Sequence, residues 1–207
     1  MKSSILKLAV ATILAFVASV GSAQAASITV GNAVVDRSTA DTWSNFVLAL
    51  PSESFTTAAV VTNWSVFTNT IGDLGLLILR AAAGSNYQVI GADFETIASV
   101  GFNSFTFNAD TGTSSVMAGD ILGLYIGSAK VDFDYIAGGT AKWCGSSGCI
   151  TNVNTQLAAG QEITFSGGPQ DRVYSVNASA VPLPAAAWLF GSALFGLVAV
   201  ARRKAVV

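Results

Sequence analysis

The chain has 207 residues, 52% of them hydrophobic, and a mean hydropathy of +0.58, which is too apolar for an ordinary soluble domain unless the apolarity is concentrated. It is concentrated at the two ends: the run from Ile5 to Val20 carries one charge, Lys7, the run from Ala185 to Ala201 carries none, and the stretch between is rich in Ser, Thr, Asn and Gly. All twelve acidic residues fall in that middle against five cations (Arg37, Arg80, Lys130, Lys142 and Arg172), a net charge of −7 that leaves no basic stripe for a nucleic-acid partner.

At the N-terminus, Lys2 and Lys7 precede the apolar run LAVATILAFVASV, and Ala23-Gln24-Ala25 supplies small residues where signal peptidase reads them. Residues 1–25 therefore read as a secretory signal peptide, handled by the Sec export machinery and cut after Ala25.

From residue 26 to 180 the chain shows short β-branched and aromatic runs separated by Gly, Asn and Asp, with no long stretch of helical period. The expected strands, in order, are SITVGNAVV from Ser27, FTTAAVVTNWSVFT from Phe55 with a break near Asn63, LGLLILR from Leu74, YQVIG from Tyr87 and FNSFTFN from Phe102. DILGLYIG from Asp120, KVDFDYIA from Lys130, TAKWC from Thr140, EITFSG from Glu162 and RVYSVNA from Arg172 complete the set. About ten short strands with this turn spacing predict an all-β ectodomain, a single jelly-roll-like β-sandwich with one core. In KVDFDYI the alternation places Val131, Phe133 and Tyr135 on the core face and Lys130, Asp132 and Asp134 on the solvated one. NASAVPLP reads as a short linker into the tail.

Cys144 and Cys149 flank GSSG just after the TAKWC run. In an exported chain with only these two cysteines, the expected role is a disulfide closing a tight turn.

Residues 181–207 form the tail. Pro182 and Pro184 hold the Val181-Pro182-Leu183-Pro184-Ala185 stretch in extended or polyproline geometry. The apolar run Ala185 to Ala201 would make a transmembrane helix of about 25 Å, a little short of a hydrocarbon core of about 30 Å. Trp188 sits near its outer end, and Arg202-Arg203-Lys204 closes the inner end, so the positive-inside rule puts the C-terminus in the cytoplasm and the ectodomain on the other side.

Motif, helix and basic cluster in this order, VPLPAAAWLFGSALFGLVAVARRK, closely resemble the VPLPA variant of the PEP-CTERM sorting signals of Gram-negative bacteria. The resemblance implies recognition by an exosortase-type membrane enzyme that removes or replaces the tail at the proline motif. It also implies transient inner-membrane anchoring with the ectodomain on the periplasmic side, then delivery to the cell surface or beyond. A second, weaker resemblance runs from Leu74 to Gly127, to a β-sandwich module of exported bacterial proteins. Its marks are a strand ending in Arg (Arg80), a Tyr-containing strand (Tyr87) and a Gly-Asp turn before an apolar strand (Gly119-Asp120). That module implies a fold and no chemistry.

The chain has no histidine, which removes Ser-His-Asp and Cys-His catalysis and the commonest metal ligand. No Gly-x-Ser-x-Gly elbow and no phosphate-binding glycine loop is present. Two carboxylate pairs, Asp132 with Asp134 and Asp93 with Glu95, share strand faces and are the candidates for glycosidase work or calcium binding, with a solvated strand face as the ordinary reading. Trp43 and Trp64, in TWSNF and NWSVF, are candidates for stacking on sugar rings, with core packing as the ordinary fate of both.

The expectation is thus a non-enzymatic exported surface or matrix protein, free of cofactor and metal, sorted by its tail and associated with extracellular polysaccharide. The competing expectations are a carbohydrate-active enzyme built on the paired carboxylates and a permanently anchored protein on the periplasmic side of the membrane.

Overall fold

The computed structural model describes residues 26–37 and 39–183. The signal-peptide residues Ala23 and Ala25, the motif residues Pro184 and Ala185, the apolar tail and Arg202, Arg203 and Lys204 lie outside the described residues.

The described chain is all-β, with one short helix. One antiparallel sheet runs β1 (Ile28–Gly31), β16 (Val176–Pro182), β4 (Ala59–Thr68), β7 (Gly101–Thr106), with β9 (Ser115–Val116) also pairing β4. A larger antiparallel sheet runs β13 (Glu162–Thr164), β6 (Asn86–Ile97), β5 (Gly72–Ala81), β10 (Ile121–Ile126), β3 (Phe46–Ser54), β12 (Ala141–Trp143), β14 (Gly167–Gln170), with β8 (Thr111–Gly112) pairing β6. A small sheet orders β15 (Arg172–Tyr174), β11 (Asp132–Tyr135) and β2 (Thr39–Ala40).

The two larger sheets share an apolar cluster. Ala59, Val61, Trp64, Val66, Val176 and Ala178 come from the first, and Phe46, Leu48, Leu74, Leu76, Ile78, Leu122 and Leu124 from the second. Burial of these side chains is the main stabilising term for the fold, at roughly 1.5–3 kcal/mol for each large aliphatic or aromatic group. One polar link crosses this core: the Trp64 indole Nε1 donates to Asp93 Oδ2 at 2.7 Å, so the buried carboxylate on β6 meets the buried indole on β4.

A second cluster covers the opposite face of the larger sheet. Ile150, Leu157 and Phe165 cluster with Val47, Ala49, Leu77, Leu79 and, from β13, Ile163. This cover follows the Cys144–Cys149 disulfide, which is formed, and includes α1 (Val153–Gln156), capped by Asn152 Oδ1 accepting from the Thr155 N–H at 3.2 Å. With both faces covered, β10 is buried at all six positions and β5 at six consecutive ones, Leu74–Leu79, giving apolar runs without alternation.

Several expectations are corrected. The strand from Phe55 does not break near Asn63; β4 is continuous, and the slip in its alternation is a bulge, where Ser179 pairs Asn63 but Ala180 pairs Val61 and Thr62 has no opposite number. β3, absent from the expected strands, is nine residues long. Its first five residues are all buried, and Pro51 falls where the pairing to β10 skips from Leu50 to Ser54, a place a strand tolerates proline. RVYSVNA is two strands in different sheets, with Ser175 between them. NASAVPLP is not a linker as far as Pro182: Asn177–Pro182 is strand, held between β1 and β4 up to Ala180 and paired to β4 beyond. Among the described residues no helix is long and apolar enough to cross a membrane.

Candidate functional site

The small sheet positions a cleft of about 150 Å³ at its junction with β3, β12 and β14. Pairing of Ala40 with Asp132 and Thr39 with Phe133 fixes β2, and the Asp41 N–H continues it by donating to the Val131 carbonyl at 3.3 Å. The chain then turns through Trp43 and Ser44 to Asn45, whose φ of 55° lies in the left-handed region that Asn tolerates better than most residues. Lys130 Nζ holds this turn by donating to the Trp43 carbonyl and to Ser44 Oγ. The Trp43 side chain is thereby left 44% exposed, with its ring edge-on to Phe46 at 6.2 Å and to Trp143 at 6.4 Å.

Tyr135, the last residue of β11, forms another part of the lining and is 69% exposed. Beneath it Phe133 is buried, with ring centroids 5.2 Å apart, and the Arg172 guanidinium lies 4.1 Å from the Phe133 centroid and 5.7 Å from that of Tyr135. Trp143 lies against Gly167, where a Cβ would come within 2.2 Å of the indole, so the bare backbone of β14 is a condition of the ring's placement. Gln170, on the same strand, also lines the cleft.

The polar floor is an ion pair. Arg172 Nη1 donates to Asp41 Oδ1 at 2.8 Å and to the Tyr174 hydroxyl at 3.1 Å. Burial pushes the Asp41 carboxyl above its ordinary range, against the opposing pull of Arg172, the Tyr174 hydroxyl and Lys130. Burial, followed by the Asp41 charge, pushes the Tyr174 hydroxyl far above its ordinary value, so it stays protonated. Among the described residues, three buried polar atoms of cleft-lining side chains make no hydrogen bond: Asp41 Oδ2, Arg172 Nε and Trp143 Nε1.

The sequence-derived candidates are scattered. Asp93 is buried between the sheets on Trp64, with its carboxyl raised chiefly by burial, and Glu95 lies on the same strand. Asp132 is fully buried rather than solvated, its carboxyl raised by burial and by the neighbouring Asp36, while Asp134 accepts from Arg37 Nη1 at 2.8 Å. The solvated-face reading therefore fails for Asp93 and Asp132. None of these four carboxylates lines the cleft, and among the described residues no three or more His, Cys, Asp or Glu side chains converge on a metal site. Tyr135, the last residue of β11, is exposed, not core. Trp64 is core as expected, and Trp43 is not. Of the sorting motif, Val181 and Pro182 end β16 and Leu183 follows it.

Sequence reasoning missed Tyr135, Trp143, Asp41, Gln170 and Arg172 as cleft residues. Asp41 and Arg172 stand 131 positions apart, so no local pattern links them. Trp43 alone carried a usable signal, an aromatic in a polar stretch outside every expected strand.

Comparison with known protein families, curated proteins and solved structures finds no match to this chain.

Proposed function

We propose that the chain is a non-enzymatic exported surface or matrix protein that associates with extracellular polysaccharide through the cleft of Trp43, Tyr135 and Trp143. The observation that carries this reading is the pairing of two exposed aromatic side chains with an ion-paired polar floor. Apolar ring faces beside a few placed polar groups suit a sugar, which has apolar C–H faces and a hydroxyl edge.

The finer architecture proposed is a jelly-roll-like sandwich. Its support is the order of the eight principal strands, β1-β16-β4-β7 facing β3-β10-β5-β6. Counted along the chain, the two orders are 1-8-3-6 and 2-7-4-5, the interleaving that two wound Greek keys produce. Export by the Sec machinery, processing by an exosortase-type enzyme at the Val181–Ala185 motif and final residence at the cell surface or outside it belong to the same proposal and rest on the sequence resemblance.

Retention of the purified protein on polysaccharide from the cell that makes it tests the association. Retention supports the reading; passage through the column unretarded, with an unchanged matrix when the protein is deleted, overturns it. Intact mass of the native protein, with and without the processing enzyme, tests the route: loss of the tail's mass only when the enzyme is present supports it, and a retained tail favours permanent anchoring.

A further inference from the structure

We propose that the cleft is a subsite for one ring of an uncharged pyranose polymer, stacked on Trp43 and Tyr135 and hydrogen-bonded to Asp41, Arg172 and Gln170. This deepens the polysaccharide reading above and rests on it for the ligand's chemistry.

Size is the first argument. At about 150 Å³ the cleft is well below the roughly 300–1,000 Å³ that encloses a drug-sized ligand, and suits one sugar ring whose neighbours continue across the surface. The aromatics are placed for that: Trp43 and Tyr135 line the cleft yet keep much of their surface outside it.

Polarity is the second. A buried polar atom without a partner costs about 1–3 kcal/mol, and Asp41 Oδ2 and Arg172 Nε, which have almost no surface of their own, gain one where a small shift of these side chains brings them to a ligand hydroxyl at the cleft floor. An acceptor and a donor of this kind match a hydroxyl, which both donates and accepts.

Charge is the third, and it selects against acidic sugars. Among the described residues Arg172 is the only cation lining the cleft, and Asp41 already binds it. Lys130, nearby, is engaged by Trp43 and Ser44. A uronate carboxylate would meet no unmatched cation in the cleft and would approach a middle region whose net charge is −7.

Native affinity electrophoresis of the full-length protein, in a polyoxyethylene detergent without a sugar headgroup, tests this. The neutral probes are galactomannan, hydroxyethylcellulose and mixed-linkage β-glucan; the acidic ones are alginate and pectate. Retardation is expected in at least one neutral polymer and in neither acidic one. Trp43→Ala and Tyr135→Ala should each weaken it about tenfold, and Phe102→Ala, an exposed aromatic on β7, should leave it unchanged. An unchanged far-ultraviolet circular dichroism spectrum and a cooperative urea transition of each variant show that the fold survives. Absence of retardation by every neutral polymer, equal retardation of Trp43→Ala and wild type, or tighter binding of alginate would overturn the assignment. The two readings fail separately: host polysaccharide retained equally by Trp43→Ala sinks the cleft and spares the matrix role. A neutral probe bound through Trp43 by a protein that ignores host polysaccharide does the reverse.

Discussion

Arg80 and Asp120 meet fork to fork: Nε donates to Oδ1 at 2.7 Å and Nη2 to Oδ2 at 2.8 Å, joining the end of β5 to the turn that launches β10. Asp120 is buried and also accepts from the Met117 N–H at 2.7 Å, and Gly119 beside it has a φ of 91° that glycine alone adopts cheaply. Two features read separately in the sequence, the strand ending in Arg80 and the Gly119-Asp120 turn, are thus one contact in the fold.

Arg80→Ala strands the buried Asp120 carboxylate with backbone partners alone. Because Arg80 is itself more than one-third exposed, the loss is expected to be about 2 kcal/mol rather than that of a fully buried pair. Arg80→Lys should recover only part of it, since an ammonium cannot reproduce the two parallel bonds. Urea midpoints of the three proteins measure both effects.

Asp93 governs a pH dependence whose sign follows from its environment. Burial raises its folded-state pKa above the unfolded value, so the folded protein keeps a proton that the unfolded chain has lost. That contribution is complete below the ordinary carboxylate range and is lost as pH rises through it towards the folded value. Asp132, Asp41 and Glu95 are raised in the same direction, also chiefly by burial. Asp93→Asn gives up one of two acceptor oxygens and should be less stable by about 1–2 kcal/mol near pH 4. Its stability should then fall less than wild type between about pH 4 and pH 7 in parallel unfolding titrations, while Asp132, Asp41 and Glu95 keep contributing in the same direction.

Gly167→Ala drives a methyl group into the Trp143 indole. Overpacking of this kind costs about 1–3 kcal/mol, and the ring is expected to move from its place in the cleft wall. The change is read as an altered near-ultraviolet dichroism band and as weakened polysaccharide retention, in a variant whose far-ultraviolet spectrum is unchanged.

The Cys144–Cys149 bond starts the segment that covers the second apolar face. Neither cysteine of the native protein, isolated without reductant, should alkylate until a reductant is added. The double serine variant should lose about 2 kcal/mol, the stabilisation a short closed loop supplies. Alkylation without reduction would show that the bond does not form in the cell.

The all-β class, the disulfide and most strands were legible because they rest on local signals: turn residues, β-branched runs and cysteine spacing. Strands buried on both faces were harder. Phe46–Leu50 shows no alternation because the sheet it joins has apolar material on each side, so nothing marks it as strand rather than buried helix. Tyr135 and Asp132 were misplaced for the converse reason: alternation assigns faces but cannot say which face another layer covers, and at Asp132 both are covered. The cleft was nearly invisible, since Trp43, Tyr135, Trp143 and Arg172 come from four separate segments and meet only when the small sheet forms.

The cleft's role is tested most directly by following the indole N–H signals of 15N-labelled protein as a neutral oligosaccharide, cut from whichever polymer binds, is added. Trp43 and Trp143 line the cleft, whereas the Trp64 indole is locked on Asp93 between the sheets. The expected result is saturable shifts of the Trp43 and Trp143 signals with the Trp64 signal fixed. Shifts absent at saturating oligosaccharide, or confined to residues outside the cleft, would contradict the account.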